Sequence, residues 1–175
     1  SILVPEGHEF TVEAGRPDSV NLVKLRSMLD LGVNRISINP QTMQDDILRR
    51  IGRGHSARDI DELLQYVKAN TSLAVNMDFI AGLPHQTMQN MVENMDYVCQ
   101  NLPENVTIHT LALKRGSPLY DLNMQDDIPA EHLVAEMVQY GKERLEAAGY
   151  VPYYLYRQQY MRGQLENIGY TLPGK

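Results

Sequence analysis

An α/β fold, an incomplete (β/α) barrel of about four parallel strands with helices outside, is predicted by three features of this sequence. Short β-rich runs alternate with helical patterns along the chain. Connections of that length join parallel neighbours through right-handed crossovers. Each β-rich run also divides its side chains into one apolar and one polar face, which a sheet covered on both sides would not do.

The runs at residues 9–13, 35–39, 73–79 and 105–112 are rich in β-branched and aromatic residues and short enough for strands. Between the first two, a helical pattern opens at Leu22 and stops at Gly32. Ile60, Leu63, Leu64 and Val67 lie at i, i+3, i+4 and i+7 behind a Ser56–Asp59 pair that resembles a capping box. Met88, Met91, Val92 and Met95 repeat that spacing, and methionines so placed fill cores. Pro129 opens a last helix over residues 130–148, with Gly149 just past its end.

Read with period 2, Phe10, Val12, Ile36, Ile38, Val75, Met77, Phe79, Val106 and Ile108 share one face. The other carries Thr11, Glu13, Ser37, Asn39, Asn76, Asp78, Thr107 and His109. The apolar face therefore meets the helices, and the polar face lines a cavity. Barrel chemistry gathers at the carboxyl ends of the strands, where Glu13, Asn39 with nearby Gln41, and Asp78 fall. Two readings stay open there. Either these groups receive ligand hydroxyls and amines, or Glu13 and Asp78 close a structural network with Arg16, Arg35 or Arg53.

Residues 1–149 read as the barrel unit and residues 150–175 as the start of a C-terminal extension, because composition changes after Gly149. Tyr150, Tyr153, Tyr154, Tyr156 and Tyr160 crowd together beside Arg157 and Arg162. Such a cluster either offers stacking surfaces and cations to a planar carboxylate ligand or forms an amphipathic strand packed on the barrel. Residues 167–174 read as loop.

With 175 residues, 43% of them apolar, the chain can bury one sizeable core. A net charge of −6 without a basic cluster argues against nucleic acid as partner. No apolar run approaches the ~20 residues that cross a bilayer, and no signal-peptide pattern opens the chain, so a cytoplasmic protein with no membrane partner is expected. Cys99 is the one cysteine, which excludes a disulfide or a cysteine-ligated metal within the chain. The five histidines lack metal-ligand spacing, so no metal is assigned.

Four segments carry a family resemblance: EFTVEAGRP at residues 9–17, RISINPQ at 35–41, RRIGRGH at 49–55 and NMDFIAGLP at 76–84. In order and approximate spacing they resemble successive motifs of the oxygen-independent coproporphyrinogen III oxidase-like radical S-adenosylmethionine (SAM) enzymes. YYLYRQ at 153–158 and ENIGY at 166–170 are similar to the HemZ-type branch, a coproporphyrinogen dehydrogenase group. The resemblance implies a barrel of the radical SAM type, with SAM and a [4Fe–4S] cluster as cofactors of the intact protein and a tetrapyrrole substrate. It also implies a reaction in which a 5′-deoxyadenosyl radical abstracts hydrogen from propionate side chains of coproporphyrinogen III. By the same resemblance Glu13, Gln41, Arg53 and Asp78 match positions that hold SAM, and the main chain of Ala112 one that lies near the adenine. Arg53 suits the methionyl carboxylate, and the other three suit ribose hydroxyls or the methionyl amine.

The family's Cys-x-x-x-Cys-x-x-Cys loop and the glycine-rich strand end that follows it have no counterpart here. The motif at Glu9 corresponds to the family's third strand, so the sequence reads as a piece from which two strands and their helices are missing. That piece is expected to be inert alone and to expose the strand at residues 10–13 as an edge open to self-association. Nothing in the sequence names the electron donor. Two rival expectations accompany this one: a haem carrier of the same superfamily, or a (β/α)-barrel piece of another enzyme class whose rim serves a sugar or phosphate.

Overall fold

The computed structural model describes residues 10–13, 22–111, 127–156 and 167–174. In chain order the elements are β1 (Thr11–Glu13), α1 (Leu22–Asp30), β2 (Arg35–Gln41), α2 (Asp45–Arg50), α3 (Ala57–Asn70) and β3 (Ala74–Ala81). There follow α4 (Met88–Asn101), β4 (Asn105–Thr110), α5 (Glu131–Ala147), β5 (Val151–Tyr156) and β6 (Asn167–Thr171). One sheet contains all six strands in the order β1-β2-β3-β4-β6-β5. Its first four strands run parallel, and β6 and β5 add antiparallel at the far side.

The face division read from the sequence is the one that forms. Ile36, Ile38, Val75, Met77, Phe79, Val106 and Ile108 are each 2% exposed or less and sit under the helices, against Ile60, Leu64, Met91 and Met95. The long helices start where their side chains satisfy the orphan N–H groups. In α3 the Ser56 hydroxyl accepts from Asp59 N (3.2 Å) while the Asp59 carboxylate accepts from Ser56 N (2.7 Å). An analogous box of Thr87 and Asn90 opens α4, with asparagine in the place usually taken by glutamate or glutamine.

At Gly141 the last helix makes its tightest approach. A Cβ there would lie 2.5 Å from Ile108 Cδ1 and 2.9 Å from Met91 Cε, both on fully covered side chains. Beyond Gly149, in the left-handed region at φ +92, Tyr150 turns into the core. Its hydroxyl donates to Pro103 O at 2.6 Å, pinning the α5–β5 turn to the entry of β4. Tyr150→Phe leaves that buried carbonyl unpaired and is expected to cost about 1–2 kcal/mol in chemical denaturation. An unchanged midpoint would refute the pin.

One expectation is corrected here. Residues 167–171 are strand rather than loop, and only 172–174 remain loop: β6 occupies the free side of β4, with Tyr170 1% exposed and Ile168 packed on the core. Gly169, Pro173 and Gly174 suggested loop, but the alternation Ile168, Tyr170, Leu172 gives one side of this segment a packing face. The tyrosine cluster also divides, because Tyr150 is core whereas Tyr153 lies on the polar side of the sheet. Tyr160, Arg157 and Arg162 fall outside the described residues, as does Arg16. On its outer side β1 pairs with no described strand, and Phe10 just before it is 37% exposed.

Candidate functional site

The polar sides of the strands converge on a hollow of about 350 Å³. β1 contributes Thr11 and Glu13, β2 Arg35 and Ser37, β3 Asn76 and Asp78, β4 Thr107 and His109, and β5 Tyr153. Period-2 alternation puts each pair on one face, and the parallel register brings the pairs together: Glu13 stands beside Ser37, Ser37 beside Asn76, and Asp78 beside Thr107.

Hydrogen bonds link these side chains between β2 and β3. Ser37 Oγ donates to Asn39 Oδ1 (3.0 Å), and the Asn76 amide nitrogen donates to Ser37 Oγ and to Asp78 Oδ1, both at 2.9 Å. His109 Nε2 lies 3.6 Å from Asp78 Oδ2, an ion-pair separation rather than a hydrogen bond. Burial alone would push the Asp78 carboxyl up. Contacts from His109, Asn76 and Thr107 outweigh that and hold it below its ordinary value. Asp78 is therefore ionised at neutral pH and keeps acceptor capacity for a ligand donor. A carboxyl so lowered adds stability that is complete above about pH 5 and is lost as pH falls through about 4 toward its folded value. Acid titration of unfolding free energy should show this loss in the wild type and not in Asp78→Asn.

Loops at the carboxyl ends of the strands are fixed by their own sequence. In β2 the register shifts between Ile38 and Gln41, where Pro40 offers no N–H, and Gln41 takes φ 68. Its side chain is buried and donates weakly to Asn39 O at 3.4 Å. After β3, Gly82 (φ 92) turns the chain, and Gln86 fills the turn. Gln86 Oε1 accepts from Gly82 N (2.8 Å) and Leu83 N (3.1 Å), and its amide nitrogen donates to Ile80 O (3.0 Å). Gln86→Leu strands three main-chain groups and is expected to lower stability by about 3 kcal/mol, measured by urea unfolding. His85 ties the same rim to the start of α5, with Nε2 3.2 Å from Asp127 Oδ2 and its N–H on Asp127 O.

The five residues named from the sequence fall in different places. Glu13 and Asp78 share the hollow. Gln41 ends β2 with its side chain folded toward its own strand. Arg53 follows α2, half-buried, its N–H on Leu48 O, and is not one of the residues lining the hollow. Ala112 lies outside the described residues. His109 and Tyr153 were not among the five, although the alternation already placed His109 on the polar side.

Fold and hollow together define a protein of the (β/α)-barrel class whose polar hollow holds an ionised carboxylate and an amide. The model of the Radical SAM superfamily matches residues 4–98, and the chain belongs to that superfamily. It is 36% identical over 167 residues to the oxygen-independent coproporphyrinogen-III oxidase-like protein HemZ of Bacillus subtilis, an alignment covering 95% of this chain and 33% of that protein. It is 29% identical over 143 residues to the heme chaperone HemW of the same organism, covering 81% of this chain and 38% of the relative. The solved structure of coproporphyrinogen III oxidase HemN from Escherichia coli, a radical SAM enzyme, superposes with a TM-score of 0.74 at 20% identity, covering 95% of this chain and 36% of that one. The chain thus spans about a third of these proteins' length (33%, 38% and 36%). The HemZ-type resemblance and the radical SAM barrel expectation both stand.

Members of the superfamily use SAM and a [4Fe–4S] cluster. The hollow fits the first, since Glu13 and the ionised Asp78 match the hydroxyls and ammonium of such a molecule. The second finds no ligand set: an iron–sulfur cluster needs thiolates, and Cys99 is the only cysteine, its thiol pushed up by burial on α4. No described helix is long and apolar enough to cross a membrane.

Proposed function

We propose that this chain is the SAM-gripping part of a radical SAM protein that handles a tetrapyrrole, with oxygen-independent oxidation of coproporphyrinogen III as the activity of the whole. The observation that carries this reading is the pairing of Glu13 with an ionised Asp78 in one hollow. In this assignment Glu13 and Asp78 take ribose hydroxyls or the methionyl amine, and Arg53 takes the methionyl carboxylate as a bidentate fork. Gln41 contributes at the end of β2, and the main chain of Ala112 borders the adenine. SAM, when bound and reduced by the cluster, supplies a 5′-deoxyadenosyl radical; the residues here bind and orient it and exclude water.

The HemW relatives favour a second reading, because 81% of this chain aligns with a heme chaperone at 29% identity. Anaerobic incubation of the full-length protein with SAM, reductant and coproporphyrinogen III separates the two. A vinyl-bearing porphyrinogen is expected; stoichiometric haem binding without turnover would assign the carrier role instead. The chain alone, reconstituted with iron and sulfide, is expected to release no 5′-deoxyadenosine, since one cysteine cannot hold the cluster. Release of that product would overturn the division of labour.

A further inference from the structure

Tyr153 and Gly169 form an arrangement that the SAM assignment leaves unused. Pro152 pairs with Tyr170 and Tyr154 with Gly169, so β5 advances two residues while β6 advances one. Tyr153 is the extra residue of a β-bulge, a device that re-aims a side chain. It is aimed into the hollow, opposite β1. Beneath it Gly169 makes the space: a Cβ there would lie 3.1 Å from Tyr153 Cε1, 3.2 Å from Cζ and 3.3 Å from Oη. Gly169 also pairs with Thr107 on β4, so the ring's seat is continuous with the strand that bears His109.

A ring that served only to cover the sheet would be buried, as Tyr150 and Tyr170 of the same region are at 2% and 1%. Tyr153 is 53% exposed. Its surroundings in the hollow are polar, with Asp78, His109 and Thr107 nearest along the sheet.

We infer that Tyr153, seated on Gly169, is a stacking wall that receives the flat π-system of the ligand occupying the hollow, an inference that rests on the proposed function. The hollow, at about 350 Å³, is near the lower end of small-molecule sites. It admits a nucleoside, or one edge of a larger carboxylate-bearing macrocycle. Both present flat aromatic rings, a purine in the first and the pyrroles at the edge of the second, and aromatic side chains hold such rings by stacking.

The test uses the full-length protein and two probes, S-adenosylhomocysteine and coproporphyrin III, with dissociation constants from calorimetry and folding checked by thermal melts. Tyr153→Ala is expected to weaken one probe by about 10-fold, and Tyr153→Phe to keep it within about twofold; the probe affected identifies the source of the ring. Gly169→Ala, which keeps the phenol and displaces it, is expected to weaken the same probe, with no further loss in the double variant. This variant carries the test if truncation lowers folded yield. Wild-type affinity for both probes in Tyr153→Ala overturns the stacking wall and leaves the SAM assignment standing. Equal losses in Tyr153→Ala and Tyr153→Phe also overturn it, since the hydroxyl and not the ring would then be at work. A wild-type protein that binds neither probe overturns the wall and the proposed function together.

Discussion

Asp78→Asn in the full-length protein is expected to weaken S-adenosylhomocysteine by about 10- to 100-fold. The substitution keeps the shape of the side chain and removes a charge that the site holds ionised against its own burial. A hydrogen bond to a charged acceptor contributes about 1.5–3 kcal/mol, which sets that range. Asp59→Asn is the contrast, because Asp59 belongs to an exposed helix cap remote from the hollow's lining. It should reduce stability by about 1 kcal/mol and leave affinity alone. Equal affinity in Asp78→Asn and wild type would remove Asp78 from the site.

Gly141→Val should be the most destabilising single change on the helical side, at about 3–5 kcal/mol in urea unfolding. A Cβ at this position enters the space of Ile108 Cδ1 and Met91 Cε, and a branched side chain adds two further carbons to a filled layer. Gly141→Ala sets a smaller clash against a helix-propensity gain of about 1 kcal/mol, so its net cost should be about 1–2 kcal/mol. Ile108→Val removes the nearest atom, and Gly141→Ala should cost less in that background. A Gly141→Ala protein more stable than the wild type would show that α5 does not approach β4 as closely as described.

Both arguments depend on features of different legibility. The alternation Val75, Met77, Phe79 against Asn76, Asp78 stated which side of β3 would be wet, because successive side chains of a strand point to opposite faces whatever surrounds them. Ser56 and Asp59 announced the start of α3, since a capping box is satisfied within four residues. The short helix α2 escaped notice: six residues with two buried positions are too few for a period to register. Glycine disfavours a helix interior, and the reason for Gly141 within α5 lies on β4 and α4.

The division is physical. Strand faces, helix starts and the motifs of the radical SAM resemblance are local or ordered along the chain, so the sequence by itself determined the class of fold, the polar side of the sheet and the presence of Glu13 and Asp78 on it. Tertiary structure alone decided that residues 167–171 become a strand, because their partner is the edge of β4 about sixty residues earlier. It alone set His109 3.6 Å from Asp78, and it alone raised Tyr153 over a glycine on another strand. Those outcomes depend on register between distant segments, and a pattern of period 2 states the face of a residue without stating its neighbour.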